Sequence, residues 1–319
     1  MQALTLAALD EAADEFDAAA LASEDIDAFC SSSLWILPAA KGLMPVDDVW
    51  IRRGEGGFVA LARRDQDGMP TLQPLEAMWG LACPVVGPDV ARLAGDLAAE
   101  LAGEPALLLL CGLQRQSPRF LALGRAFGRK WGIRLGPSTR RWVADLDGGL
   151  DGFLARRGRN FRAAANKARR RARDAGIELV RWDGQGDPFE RVLAADARTW
   201  KARAETGLAA SAMRDFYADM VPRLQRRSAL RLWFARAGEV DVGYCLGAVF
   251  GGTYRGLQFG FAAGLERLSL GNLLQLNEIE ALCREGAATR YDLGSDAEYK
   301  QRWADAPVET VTLLAWPRG

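Results

Sequence analysis

The sequence predicts an α/β fold, and three observations support that prediction. Apolar residues recur at the helical period in some segments, and short apolar runs bounded by glycine and proline mark strands in others. The two kinds of segment alternate along the chain, as expected for sheets covered by helices. The chain has 319 residues, 49% of them hydrophobic and 26% charged, which suits a folded chain of about two domains.

The first half alternates between helical and strand patterns. Helices are predicted over 7–21, 34–37, 88–101 and 117–128. Strands are predicted over 49–52, 57–64, 71–76, 106–111 and 141–146. Turns rich in glycine separate the early strands, at 54–57 and 65–68.

The second half opens with a basic helical stretch and then alternates again. Helices are predicted over 151–157, 159–174, 188–203, 210–225 and 271–284, with a short one over 297–303. Strands are predicted over 177–182, 230–236, 242–250, 253–262, 289–293 and 308–316. The pair Gly251-Gly252 between two long strand patterns predicts a two-residue hairpin.

The chain contains no histidine, which excludes several chemistries. Ser-His-Asp and Cys-His catalysis, an imidazole base and histidine-ligated zinc or iron are all ruled out. Proton transfer in an enzyme of this composition falls to Asp, Glu, Tyr, Lys, Cys or water. The five cysteines lie far apart, so we expect free buried thiols rather than a metal site or disulfides. No secretory signal and no apolar run of about 18 residues is evident, which predicts a cytoplasmic protein without a membrane span.

A net charge of zero conceals a strong local polarity. Residues 1–50 hold ten acidic side chains and one basic one, whereas residues 151–231 hold nineteen basic and ten acidic side chains. Within the basic region, nine Lys/Arg and no acid occur between 156 and 173. At helical spacing, Arg162, Asn166, Arg169 and Arg173 share one face. This face either grips phosphates of a nucleotide, coenzyme or tRNA or is simply solvated, and we weigh the two about equally.

Two later segments could carry chemistry. Ser269 and Gly271 stand before a helix, where exposed N–H groups and the helix dipole favour an anion, although such a junction also serves as an ordinary cap. The segment 291–303 places acids, a tyrosine and a lysine after a strand, where they could act as acids and bases. The structural alternative is a turn capped by Asp296, and spacing alone favours it.

Together these segments resemble the GNAT-like acyltransferases of the FemA/FemB/FemX and CelD type, the latter associated with cellulose and exopolysaccharide. The matching elements are the basic helix 156–173, Trp200-Lys-Ala-Arg203, Ser269-Leu-Gly271-Asn-Leu-Leu274, Asp292-Leu-Gly294 and Tyr299-Lys-Gln-Arg-Trp303. The match is best over 150–305, and its most specific element is Tyr-Lys-x-x-Trp. The N-terminal part resembles the group's degenerate first domain.

The resemblance implies tandem GNAT-like domains, 1–148 and 149–319, each a mixed, mostly antiparallel sheet flanked by helices. It implies acyl transfer from acyl-CoA to an amine or hydroxyl by direct attack in a ternary complex, with no histidine or metal. The donor would lie where strand 254–262 splays from 289–292, with backbone groups forming an oxyanion site.

The resemblance also implies roles for individual residues. We expect Asp292, Glu298 and Tyr299 near the reacting centre, with one carboxylate as base and Tyr299 protonating the leaving thiolate. The residues expected to bind the donor are Arg267, Ser269, Gly271, Asn272 and Lys300. Lys300 and Arg302 would stabilise local anions.

One departure from the family pattern keeps the donor open. The usual GNAT loop, Gln/Arg-x-x-Gly-x-Gly/Ala, retains only Gly271 here. Aminoacyl-tRNA or an acyl carrier protein is therefore an alternative donor, contacted by Arg162, Asn166, Arg169, Arg173, Trp200 and Arg203. A non-catalytic module that binds an anionic ligand or a protein is the third hypothesis. The acceptor, whether a small molecule, a saccharide or a peptide, is left open.

Overall fold

The computed structural model describes residues 1–128, 130–203, 207–210 and 212–318. They form two compact units: unit 1 comprises Met1–Arg140 with Glu309–Gly319, and unit 2 comprises Arg141–Val308. The domain division predicted between 148 and 149 stays a prediction. In the described part of the chain, none of the helices has both the length and the apolarity to cross a membrane.

Unit 1 combines a sheet with short helices. Its helices are α1 (Leu6–Glu11), α2 (Ala13–Leu21), α3 (Ser33–Pro38), α4 (Val90–Glu100) and α5 (Pro118–Phe127), and a π-helical turn, Ala39–Leu43, follows α3. Its strands are β1 (Gln2–Leu4), β2 (Val49–Gly54), β3 (Gly57–Gln66), β4 (Met69–Pro74), β5 (Val85–Val86), β6 (Leu107–Leu113) and the first part of β7 (Trp131–Asp145). The end of the last strand, β13 (Ala306–Pro317), also belongs to this unit.

The unit 1 sheet is mostly antiparallel. Its strand order is β1-β2-β3-β4-β6-β13-β7, with β5 beside β3, and β4 runs parallel to β6. The predicted helix 7–21 is two helices, because the backbone at Ala12 leaves the helical region. Strand β7 begins ten residues earlier than predicted. Its glycines read as turn signals, but Gly132 lies under the Trp316 ring, where a Cβ atom would collide with the indole.

Unit 2 carries the basic helix and the longest strands. Its helices are α6 (Gly149–Ala155), α7 (Arg159–Asp174), α8 (Pro188–Asp196), α9 (Trp200–Arg203), α10 (Ala212–Arg226) and α11 (Leu270–Glu285). Its strands are the end of β7, β8 (Ile177–Arg181), β9 (Leu230–Ala237), β10 (Val240–Phe250), β11 (Thr253–Phe261) and β12 (Arg290–Ser295). The strand order is β7-β12-β11-β10-β9-β8, antiparallel except for β11 beside β12.

Helix α11 is the central helix of unit 2. Leu276 and Ile279 pack with Phe153, Tyr291 and Trp303 in one buried cluster. Leu270 and Leu274 belong to a second cluster, which includes Ala172 of α7. The buried alanines of the basic helix α7, Ala168 and Ala172, therefore lie on the side that packs against α11 and the sheet, and the arginines of α7 project outward.

Two predicted helices of unit 2 are shorter in the structure. The helix 188–203 is broken between Asp196 and Trp200, because Thr199 forms an extended bridge to Ala262. The helix 297–303 is a single 3-10 turn, Glu298–Lys300. Asp296, expected as its cap, instead accepts a hydrogen bond from the Trp142 indole N–H. All five cysteines are free in the structure, four of them buried and Cys283 half-buried. With a mixed sheet flanked by helices in each unit, the structure confirms the predicted α/β class.

Candidate functional site

Strands β11 and β12 pair over a short length and then separate. Their parallel register runs from Thr253–Arg290 to Arg255–Asp292, and no further pair follows in the described residues. Gly294, on β12 just past this register, has a positive φ of 76° that only glycine adopts readily. The backbone edge of β11 beyond Gly256 is thus left without β12, which is the splay that the resemblance implies.

A β-bulge shapes β11 at the start of the splay. Leu246 of β10 pairs with Gln258 and Gly247 pairs with Gly256, so Leu257 is the extra residue. Bulges twist a strand locally and redirect its backbone groups. The backbone N–H groups beyond the bulge are the candidate donors to an acyl carbonyl.

The N-terminus of α11 lies beside this strand. Leu273 N–H donates to Ser269 O, so the N–H groups of Leu270, Gly271 and Asn272 have no acceptor within the helix. They and the helix dipole favour an anionic group. Gly271 packs against the Phe259 ring so closely that a Cβ atom would lie 3.0 Å from it. The absence of a side chain at 271 is what brings helix and strand together.

A cavity of about 260 Å³ lies between the helix N-terminus, β11 and the 3-10 turn. It is lined by Phe259, Phe261, Glu266, Ser269, Gly271, Asn272, Gln275 and Tyr299. Gln275 is only 5% exposed, and its carboxamide has no hydrogen-bond partner among the described residues. Its polar atoms reach the cavity, so a ligand seated there would find both a donor and an acceptor. The cavity therefore has the character of a ligand site.

Tyr299 stands at the mouth of this cavity. Its side chain is 38% exposed, and its ring meets Phe259 edge-on with the centroids 6.3 Å apart. Burial raises the pKa of the Tyr299 hydroxyl, with a further increase from Cys245 and a partial offset from Arg302. The phenol consequently holds its proton at neutral pH and is available as a hydrogen-bond and proton donor.

A second cavity, of about 270 Å³, lies between α7, α11 and the turn that follows β12. Its lining comprises Asn160, Phe161, Ala164, Ala165, Ala168, Asn272, Leu273, Leu276, Arg302 and Trp303. Asn272 lines both cavities, and its side-chain oxygen accepts a hydrogen bond from Arg302 at 3.2 Å. Together the cavities flank the first turn of α11 with an apolar groove on one side and polar groups on the other.

Asp292 is buried in a cluster of charges instead of facing the cavity. Arg141 and Arg255 each form an ion pair with it, the latter at 3.1 Å, and the Gly294 N–H donates to its Oδ1 at 2.7 Å. Its side chain is almost completely inaccessible. Since both carboxylate oxygens are engaged, this position is better suited to holding strand ends than to taking a substrate proton. Its predicted role as a base stays a prediction.

The remaining residues predicted near the reacting centre lie on the 3-10 turn. Glu298 is exposed and forms no ion pair in the described part of the chain. Lys300 donates to the Ser295 carbonyl at 2.6 Å. Burial lowers the pKa of the Lys300 ammonium, and Asp292 raises it in part. Of the predicted donor-binding residues, Ser269, Gly271 and Asn272 line the first cavity, whereas the Arg267 side chain is exposed on the loop before it.

The predicted anion-binding residues of α7 have different surroundings. Arg162 donates to the carbonyls of Leu154 and Arg157, and Arg169 pairs with Glu280. Asn166 and Arg173 are exposed. The side chains of the remaining two predicted contacts, Trp200 and Arg203 of α9, lie outside the described residues.

A face of α7 nevertheless carries unpaired charge. Within the described ranges, four of its exposed cations form neither an ion pair nor a side-chain hydrogen bond, and we call them the free cation face: Arg159, Lys167, Arg170 and Arg173. Arg171 instead donates to the Arg267 carbonyl at 2.9 Å, which fastens the helix to the loop before α11. The free cation face is thus held next to the candidate site by a neighbouring arginine.

Sequence reasoning missed two groups of this site. Gln275 lies within Leu273-Leu-Gln-Leu276, and a lone polar residue in an apolar run of a buried helix was the available signal. Lys201 was noticed only as part of the motif Trp200–Arg203. Its ammonium donates to the Phe259 carbonyl at 2.8 Å, and no local pattern reveals a contact across 58 residues.

Comparison with protein-family models indicates the class of protein. Residues 159–301 match the family model described as an acetyltransferase (GNAT) domain, which supports acyl transfer as the general activity of this part of the chain. No curated protein sequence matches the chain.

Solved structures agree on the fold. The chain is similar to FemX, with 13% identity, a TM-score of 0.66 and coverage of 98% of this chain and 97% of that one. A conserved protein of unknown function from Bacteroides thetaiotaomicron VPI-5482 gives 12% identity, a TM-score of 0.68 and 99% coverage of both chains. The chain is also similar to the C-terminal domain of a putative lysylphosphatidylglycerol synthetase from Agrobacterium fabrum. The sequence identity is 12%, the TM-score is 0.60, and the match covers 96% of this chain and 92% of that one. These likenesses extend over nearly the whole chain and agree with the predicted fold, the GNAT match itself covers residues 159–301, and the CelD resemblance stays a prediction.

Proposed function

We propose that the chain is an acyltransferase that binds acyl-CoA at the first turn of α11 and passes the acyl group to an amine or hydroxyl by direct attack. The observation that carries the proposal is the cavity at the splay. It brings together free helix N–H groups, the unpartnered carboxamide of Gln275 and the hydroxyl of Tyr299.

The donor's anionic and amide portions have matching groups here. The N–H groups of Leu270, Gly271 and Asn272 suit a pyrophosphate, with the helix dipole adding to the attraction. Arg302 adds positive charge at the same turn through its hydrogen bond to Asn272, and Lys300 is the other cation of the segment that carries Tyr299. A carboxamide such as Gln275 both donates and accepts, so it matches the amides of a pantetheine arm.

The reaction balances without histidine. The acceptor nitrogen or oxygen attacks the thioester carbonyl carbon, the C–S bond breaks, and the acceptor loses one proton while the thiolate gains one. Backbone N–H groups on the free edge of β11 would stabilise the oxyanion. Tyr299 would protonate the thiolate. Glu298, the exposed carboxylate on the same turn, would take the acceptor proton directly or through water, and Asp292 would hold the ends of β11 and β12.

The test uses the purified chain with acetyl-CoA. Thermal unfolding is followed with coenzyme A and with acetyl-CoA, and mass spectrometry follows acetyl transfer to a polyamine, an amino sugar and a dipeptide. Binding stabilises the folded state by mass action, and about 1 kcal/mol corresponds to roughly 2–4 °C for a chain of this size class. We expect a shift of several degrees and one acetylated product. No shift and no product would contradict the proposal.

A second donor, aminoacyl-tRNA, is favoured by the free cation face. Neutralising phosphates releases counterions, so such binding weakens steeply with salt. Arg170→Glu with Arg173→Glu should then abolish transfer from aminoacyl-tRNA, whereas Arg226→Glu, an exposed arginine of α10, should leave it unchanged. Transfer from free acetyl-CoA without RNA would exclude this alternative. A cytoplasmic location fits either donor and is part of the proposal.

A further inference from the structure

The edge of β11 at the splay carries carbonyl groups as well as N–H groups. The Ala262 N–H bonds to the Val242 carbonyl of β10 at 2.8 Å. Because backbone groups alternate in direction along a strand, Gly260 and Gln258 also face β10, while Phe259 faces the splay. If no side chain contacted this edge, both the carbonyl and the N–H of Phe259 would therefore be open to the splay.

Lys201 forms a hydrogen bond with the Phe259 carbonyl. Its ammonium donates to Phe259 O at 2.8 Å and to the side-chain oxygen of Gln258 at 3.2 Å. It also lies 5.5 Å from the centre of the Phe259 ring. Contacts to two consecutive residues fix the charge on the strand edge, so the Phe259 carbonyl has a donor, whereas the Phe259 N–H has no acceptor among the described residues.

The segment that carries Lys201 is itself fastened to β11. Thr199 is fully buried and bridges to Ala262, and the Ala263 N–H donates to the Arg198 carbonyl at 3.2 Å. Asp196 accepts hydrogen bonds from the Tyr244 hydroxyl and the Leu208 N–H, both at 2.7 Å. Burial lowers the pKa of Lys201, and Asp196 partly restores it. The hydrogen bonds of this segment thus hold Lys201 in a position that is partly shielded from water.

We propose that Lys201 is a positioning residue for acyl transfer. By holding the Phe259 carbonyl, it fixes the edge of β11 with the Phe259 N–H directed at the acyl carbonyl of the bound thioester. It also places a positive charge close to the developing oxyanion, where a poorly solvated site strengthens its effect. This inference rests on the proposed function.

Three variants separate the contributions of Lys201. Lys201→Met removes donor and charge, Lys201→Arg keeps both, and Lys201→Gln keeps a donor without charge. The matched control is Lys130→Met, an exposed lysine of unit 1. The assay measures kcat and KM for acetyl-CoA with hydroxylamine as the nucleophile, and thermal unfolding reports folding.

Removing one oxyanion donor outright costs about 10²–10³ in kcat, so loss of a residue that positions one should cost about tenfold. We expect that loss in Lys201→Met with KM changed less than threefold, recovery in Lys201→Arg and no change in Lys130→Met. A purely structural role would instead lower stability and alter KM and kcat together, without rescue by arginine. Unchanged kcat in Lys201→Met overturns the inference, and if that variant does not fold, unchanged kcat in Lys201→Ala, which also removes donor and charge, does so.

The two possible failures are distinguishable. If the wild-type chain neither binds acetyl-CoA nor turns it over, the proposed function fails and the role of Lys201 fails with it. If the wild-type chain turns over and the Lys201 variants match it, only the role of Lys201 fails.

Discussion

Two clusters of residues lie near the end of β12, and they differ in whether their polar side chains have protein partners. In the ion-pair cluster, Asp292 is buried between Arg141 and Arg255 and accepts a backbone N–H as well. In the cavity cluster, the Gln275 carboxamide reaches the cavity and has no hydrogen-bond partner among the described residues, and Tyr299 is partly exposed. Asp292 and Tyr299 are only seven residues apart, and sequence reasoning gave both a catalytic role.

The difference separates structural from functional polar residues. A buried charge with its partners in place holds strand ends together, and removing one partner leaves the others uncompensated. A polar group that opens to a cavity and has no partner in the described part of the protein is available to a ligand. Variants in the first cluster should therefore change stability, and variants in the second should change binding and turnover.

The largest expected effect is on the ion-pair cluster. Asp292→Asn should lower the unfolding free energy by about 3–5 kcal/mol, because Arg141 and Arg255 lose their buried counter-ion. Urea unfolding measures this. Glu178→Gln, which removes an exposed pair with Arg236 in the same unit, should cost at most about 1 kcal/mol. Equal losses in the two variants would contradict the structural role of Asp292.

The next effect is on turnover. Tyr299→Phe should lower kcat for acetyl transfer by about 10²-fold, the lower range for loss of a general acid. Its unfolding free energy should stay within about 0.5 kcal/mol, because the hydroxyl has no hydrogen-bond partner among the described residues. Steady-state kinetics and urea unfolding on one preparation test both parts. Wild-type kcat in this variant would remove Tyr299 from the reaction.

A smaller effect is expected at Gln275. Gln275→Leu should weaken acetyl-CoA binding about tenfold, because the donor loses a carboxamide partner, and should change the unfolding free energy of the free protein by less than about 1 kcal/mol, because the carboxamide forms no hydrogen bond with the described residues. Calorimetric titration and urea unfolding provide the two values. Gln73→Leu, a buried glutamine of unit 1 that accepts a hydrogen bond from Gln66, should leave acetyl-CoA affinity unchanged. Weaker binding in Gln73→Leu but not in Gln275→Leu would contradict the assignment.

The smallest effect concerns pH. Burial raises the pKa of the Asp305 carboxyl, but hydrogen bonds from Arg157 and the Asp145 N–H outweigh it and leave the pKa below 3.8. The unfolded state then binds more protons in that range, so this contribution is present above pH 3.8 and disappears as the pH falls through the folded-state pKa. The difference in unfolding free energy between wild type and Asp305→Asn should shrink by a few tenths of a kcal/mol on acidification. A difference that grows towards low pH would contradict the sign.

Most elements of the fold could be predicted because their signals are local. Periodic apolar positions located α4, α7 and α11, and Gly251-Gly252 located the hairpin between β10 and β11. The first part of β7 was missed because Gly132 and Gly136 are turn residues by composition but lie under side chains of β13 here. The break after Asp196 depends on hydrogen bonds to distant residues, which no window of sequence contains.

The site was predictable only in its outline. Resemblance pointed to the turn before α11 and to Tyr299, and these lie together at one cavity. Composition did not separate Asp292 from Tyr299, because burial between Arg141 and Arg255 is a tertiary property. The location of Gln275 and Lys201 at the site likewise depends on how α11 and α9 pack near the free edge of β11, which the local sequence does not show.

The most direct test of the account is hydrogen–deuterium exchange with and without acetyl-CoA. We predict slower exchange in peptides that cover the free edge of β11, residues 257–261, and the first turn of α11, residues 270–272. The second region should be protected by coenzyme A as well, whereas the first should respond more strongly to the acetyl form. Acetyl-CoA binding that leaves the first turn of α11 unprotected would contradict the account.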